Sequence, residues 1–132
     1  MQTDRTTKAV LVIIVFLSLG SPQAGMALQE ESSPCDGSSF EVCRVQAEAG
    51  DANAQFGLGA MCLAGDGVVQ DDARAYFWLN LAAAASQEDD RALAVENRER
   101  AAANLSPADR AAAQTLATLC QASGFQNCGE PE

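Results

Sequence analysis

The sequence predicts an all-α domain: a short run of about five helices folded back on one another as antiparallel pairs. Three observations predict it. From Ala47 to Ala83, apolar residues recur at offsets of three and four on two segments separated by Gly65-Asp66-Gly67, the pattern of a helical hairpin. Outside the first twenty residues there is no β-branched run long enough to suggest a sheet. The last segment opens with Ser106-Pro107-Ala108-Asp109, a strong helix start. The chain has 132 residues, with one Trp, one Tyr and five Phe, which suits at most one small domain. With so few large core groups, its alanine-rich helices have to pack closely.

Residues 1–27 read as a secretory signal peptide. Arg5 and Lys8 give a positive start, Ala9 to Leu19 is apolar, and Ser21-Pro22 breaks the run before small residues lead to Ala27. The run falls short of the roughly 20 residues that span a bilayer, so cleavage is expected, with no stable membrane insertion afterwards. Ala27 is the first choice of cleavage site and Ala24 the second. Residues 28–37, with Pro34 and Gly37, form a loose leader. The helical domain is expected over 38–124, followed by a tail at 125–132.

The first helix is expected over 38–49. Ser38 and Glu41 have capping-box spacing, Phe40, Cys43, Val45 and Ala47 supply its apolar content, and Gly50 stops it. The second starts at Asp51 or Asn53, whose short side chain accepts from free N–H groups, and sets Ala54, Leu58, Met61 and Cys62 on one face. Gly57 and Gly59 each cost this helix roughly 1 kcal/mol against alanine, which is tolerated where another backbone must come close. The third starts at Asp71 or Asp72 and marks one face with Ala75, Trp78, Leu79, Ala82 and Ala83. A polar turn and helix start at Ser86–Asp90 leads into two closing helices within 88–122. In the first of them, Arg91 to Asn104, Leu93, Ala94, Asn97, Ala101 and Leu105 lie near one face. The last, ending near Ala122 before Gly124, is expected to bury Ala112, Leu116, Leu119 and Cys120.

An exported chain meets an oxidising compartment, where disulfides are the default for its five cysteines. Cys35/Cys43 and Cys120/Cys128 share one spacing, which favours two local bridges with Cys62 left as a small buried hydrophobe. A Cys43–Cys62 bridge between the first two helices is the alternative pairing. Beyond residue 27 there is neither His nor Lys, which removes the histidine base, the S-x-x-K nucleophile and the Schiff-base lysine. Asp71-Asp72 and Asp89-Asp90 read as helix caps, and Asp66 to Asp72 lacks the ligand pattern of an EF-hand. No catalytic, cofactor or metal site is therefore expected. The formal net charge is −10, or about −11 once Asp4, Arg5 and Lys8 are removed, which disfavours nucleic acid and anionic membranes.

The hairpin carries Ala54-Gln55, Leu58-Gly59, Gly65-Asp66-Gly67-Val68, Asp71, Ala75, Trp78 and Ala82-Ala83 in order. In content and spacing, residues 47–83 resemble a Sel1-like repeat, a relative of the tetratricopeptide hairpin, with Cys62 where that family usually has tyrosine. Asn97-Arg98, Ala102, Ser106-Pro107 and Ala113-Gln114 resemble the closing pair of small secreted bacterial members. The junction at Ser86–Asp90 departs from the family spacing, so one full repeat is counted. The resemblance implies a short solenoid acting as a protein-interaction adaptor or regulator, with an unidentified envelope or secreted protein as partner. Gln55, Arg74, Tyr76 and Phe77 are the candidate partner-binding residues, and Trp78 reads as core. A disulfide-held structural envelope protein is the alternative. Some cysteine-rich members are associated with β-lactam binding or hydrolysis, but the missing Lys and His weigh against that role here.

Overall fold

The computed structural model describes Cys35 and residues 39–132. The expected signal peptide, its expected cleavage site and the leader apart from Cys35 lie outside the described residues. Among those described there are five helices and no strand: α1 (Phe40–Glu48), α2 (Ala52–Ala64), α3 (Asp72–Ala85), α4 (Glu88–Ala102) and α5 (Pro107–Ala122). None is long and apolar enough to cross a membrane.

Three helix starts follow from capping side chains within four residues of the first turn. The Asp51 carboxylate accepts from the Ala54 N–H at 2.8 Å, and Asp71 accepts from the N–H groups of Ala73 and Arg74 at 3.0 Å each. The Ser106 hydroxyl accepts from the Asp109 N–H at 3.1 Å, with Pro107 opening the helix. Of the other two starts, that of α1 differs from expectation. Ser39, not Ser38, is the N-cap of α1, and its side chain makes no capping bond. Helix α4 begins at Glu88, inside the polar turn and helix start expected at Ser86–Asp90, with Glu88, Asp89 and Asp90 in its first turn, where the helix dipole favours negative charge. Arg91 instead reaches back, donating to the carbonyls of Ala83 at 3.1 Å and Ser86 at 3.2 Å at the end of α3. Gly65 closes α2 at φ +70°, where a side chain would be strained, and its N–H and that of Asp66 both donate to the Met61 carbonyl.

Helix α3 is the hub. Helices α2, α4 and α5 all pack on it, while α1 packs on α2. Ala75 to Leu79 and Leu81 to Ala83 are all buried, so α3 is apolar nearly all round rather than on one face. One core cluster gathers Leu58, Phe77, Trp78 and Leu81 with Cys43 and Cys120, and a second gathers Cys62, Tyr76 and Leu79 with alanines of α4 and α5.

Small residues rather than leucines decide which way the outer helices face. Helix α5 buries Ala113, Ala117 and Cys120, half-buries Leu116, and leaves Ala112 and Leu119 exposed, so the expected face is displaced toward its alanines. Leu93 of α4 and Val45 of α1, both expected to be covered, are 51% and 65% exposed. The close approach of alanines brings backbones together and turns the bulkier neighbours outward.

Gly59 shows how tight the hairpin is. A Cβ there would lie 2.5 Å from Cγ and 3.2 Å from the backbone nitrogen of Leu79, and both residues are buried. Gly59→Ala is expected to cost about 1–3 kcal/mol in urea denaturation, because neither helix has room to shift. Combining it with Leu79→Ala should give a loss smaller than the sum of the two, since the clash is then gone. Strict additivity would show that the two positions do not oppose each other.

Candidate interaction surface

Two disulfide pairs tie the flanks of the domain to its core. Cys35 pairs with Cys43 and Cys120 with Cys128, with Cα atoms 5.3 Å and 4.4 Å apart, and Cys62 is free and buried. This is the local pairing, not the Cys43–Cys62 bridge. Cys43 and Cys120 both belong to the cluster around Trp78, so each staple anchors a segment at the centre of the fold.

The second staple has a consequence that the sequence concealed. The chain after α5 turns back, and two residues beyond Cys128 the Glu130 side chain, 13% exposed, meets α3. The Trp78 Nε1–H donates to Glu130 Oε1 at 2.7 Å, and Arg74 Nε lies 3.5 Å from Glu130 Oε2. Arg74 also lies 3.8 Å from Asp71 Oδ2. A buried indole N–H left without an acceptor is costly, and Glu130 supplies that acceptor from a position 52 residues away. The only hint in the sequence was the nearby Cys128.

Cys62 stands close to this network. Burial pushes its thiol up from 9.0 to about 12, the Glu130 carboxylate adds to the rise, Arg74 opposes it, and Asp71 adds again. The thiol is therefore neutral at neutral pH and a poor nucleophile. Alkylation at pH 8 without reductant should leave the native protein unlabelled and label one cysteine after denaturation. Labelling of the native chain would place Cys62 outside the core. The folded state holds this proton more tightly than the unfolded chain does. Its contribution to stability is thus complete below pH 9 and is lost as pH rises toward 12.

The candidate partner-binding residues occupy other places. Gln55, Tyr76 and Phe77 are buried and present no binding surface. Gln55 Nε2 donates to the Ala47 carbonyl at 3.1 Å, tying the end of α1 to α2. Tyr76 and Phe77 lie inside because neighbouring helices surround α3. Arg74 remains partly exposed, with its guanidinium beside Asp71 and Glu130. Trp78 is wholly buried, as expected of a core residue.

The open feature nearest this network is a groove of about 580 Å³ between the start of α3, the first turns of α5 and the tail. Leu105, Ala112, Leu116 and Pro131 supply the apolar part of its lining. Asp71, Asp72, Asp109 and Glu132 line it with carboxylates, and among the described residues no Lys or Arg does. Ala112, left exposed by the rotation of α5, is part of that lining. Pattern reading missed the groove because its walls come from three separate parts of the chain. No group of three or more His, Cys, Asp or Glu able to hold a metal ion occurs among the described residues. Comparison of the chain with family models, with curated proteins and with solved structures found no match.

Proposed function

We propose that this chain is an exported, disulfide-stapled interaction module of Sel1-like type, an adaptor or regulator that engages a protein of the envelope or the extracellular space. The groove beside α3 carries this reading: it brings apolar side chains and carboxylates together on a domain whose flanks are held by disulfides. Concave sites of this volume are characteristic of binding surfaces. Two disulfides suit an oxidising compartment. The repeat-pattern residues act as scaffold: Ala54, Leu58, Gly59, Ala75, Trp78, Ala82 and Ala83 are packed between helices, Gly65 and Gly67 make the turn at positive φ, and Asp71 caps α3.

Cross-linking in the exporting host tests the reading, using the full chain against Ala112→Arg. Ala112 is exposed on a helix, so arginine there fills the groove while leaving the core intact. One partner held by the native chain and lost from Ala112→Arg is the expected result. No partner above background would reject the adaptor. The pinned flanks would then favour a structural envelope protein, whose deletion should weaken the envelope.

A further inference from the structure

We propose that the Cys120–Cys128 bridge is a redox latch: a dithiol reductant opens it, the tail leaves α3, and the groove loses the wall that the tail supplies. The inference rests on the reading of the groove as a binding surface and adds how that surface is switched. The tail is fastened at three places. Phe125 packs against Gly50, where a Cβ would lie 3.2 Å from its ring. Cys128 is bonded to Cys120. Glu130 accepts from Trp78 Nε1 at 2.7 Å and lies 3.5 Å from Arg74. Pro131 and Glu132 then line the groove. The bridge stands between the other two fastenings and is the covalent one. Opening it leaves Phe125 as a hinge and one hydrogen bond with a partly exposed ion pair to order the residues beyond, against the freedom they regain.

Of the two bridges, this one is open to attack. Cys120 is wholly buried, but Cys128 is only half-buried. A Cβ on the adjoining Gly129, or on Gly124, would meet nothing within 4 Å. Cys35 instead seats against α2, where a Cβ on Gly57 would lie 2.9 Å from its Cβ and 3.3 Å from its Sγ. None of the described residues lining the groove comes from α1 or α2, so the first bridge does not build the site. A thiolate of the reductant attacks Cys128 Sγ, forms a mixed disulfide and releases Cys120 as a thiolate. The second thiolate of the reductant then attacks its own sulfur in that mixed disulfide and releases Cys128. The reductant leaves as a disulfide, and its two protons end on the two cysteines.

Limiting dithiothreitol on the full chain, quenched with N-ethylmaleimide and read by mass spectrometry, gives the order of opening. Cys120 and Cys128 should be labelled about tenfold faster than Cys35 and Cys43, because access sets the rate. The singly reduced chain is then compared, unlabelled, with the oxidised one. Tryptophan emission should move to longer wavelength and the methyl NMR signals of Leu105 and Leu116 should shift, while circular dichroism stays helical. Reoxidation with oxidised glutathione should reverse both changes. Cys120→Ser with Cys128→Ser should match the reduced chain with no reductant present. Equal labelling rates for the two bridges, or emission and methyl signals that do not move on reduction, would overturn the latch. A partner cross-linked equally to the oxidised and singly reduced chains would also overturn it, with the adaptor reading left standing. Tail release with no partner captured in either state rejects the adaptor, and with it the switching of a binding surface.

Discussion

Trp78→Ala lowers the stability of the domain by about 3–5 kcal/mol, the largest loss expected of a single substitution here. Trp78 is wholly buried where several elements meet: Leu58 of α2, Cys43 of α1, and Ala117 and Cys120 of α5 all belong to its cluster. Its ring meets Phe77 edge-on with centroids 4.9 Å apart. Truncation forfeits that burial, opens a cavity that rigid helices fill poorly, and leaves the Glu130 carboxylate with only Arg74. Small domains hold roughly 5–15 kcal/mol in all, so most of the folded population is at risk. Trp78→Phe separates packing from the indole bond. It keeps most of the apolar contact but withdraws the donor from Glu130, for a loss of about 1.5–3 kcal/mol. Urea denaturation followed by circular dichroism measures both. A cost below about 1 kcal/mol for Trp78→Ala would mean that the helices do not depend on this side chain to meet.

Replacing Cys120 and Cys128 together by serine costs about 2–3 kcal/mol and frees the tail. The bridge closes a short loop, with a separation of eight residues, so the gain from restricting the unfolded chain is moderate. The larger structural effect is on Glu130, which reaches Trp78 because Cys128 holds the chain beside α3. With the bridge gone, ordering the tail must be met by the Glu130 contacts alone, against a backbone entropy of about 1–2 kcal/mol per residue. Emission of the single tryptophan should move to longer wavelength as its N–H edge meets water, and the urea midpoint should fall. Glu130→Gln with the bridge intact is the matching control: the amide oxygen still accepts from Trp78, and only the partly exposed Arg74 pair is lost. It should leave emission nearly unchanged and cost under about 1 kcal/mol. Unaltered emission in the double serine variant would show that the tail holds its place without the bridge.

What sequence pattern settled lies close along the chain. Asp51, Asp71 and Ser106 cap their helices, Gly65 ends α2, and the shared eight-residue spacing favoured the two local bridges over the Cys43–Cys62 alternative. Each of these depends on groups a few residues apart, so local chemistry is enough to write it. Other outcomes depended on how many neighbours surround an element. Tyr76 and Phe77 looked available because a helix touching one neighbour needs one apolar face, but α3 meets three helices and buries nearly all of its surface. Helix α5 turned toward Ala113 and Ala117 instead of Leu119, since closeness of approach, not side-chain size, fixed its rotation. Glu130 gave no local signal at all, because its partner Trp78 is distant in sequence and adjacent only once the second disulfide has brought the tail back. The sequence by itself therefore determined an all-α chain, the capped starts at Asp51, Asp71 and Ser106 and the stop at Gly65, and it favoured the local cysteine pairing without fixing it. Only the tertiary structure decided which faces are buried and where a groove is left open, because burial is a property of the whole packing and not of any one segment.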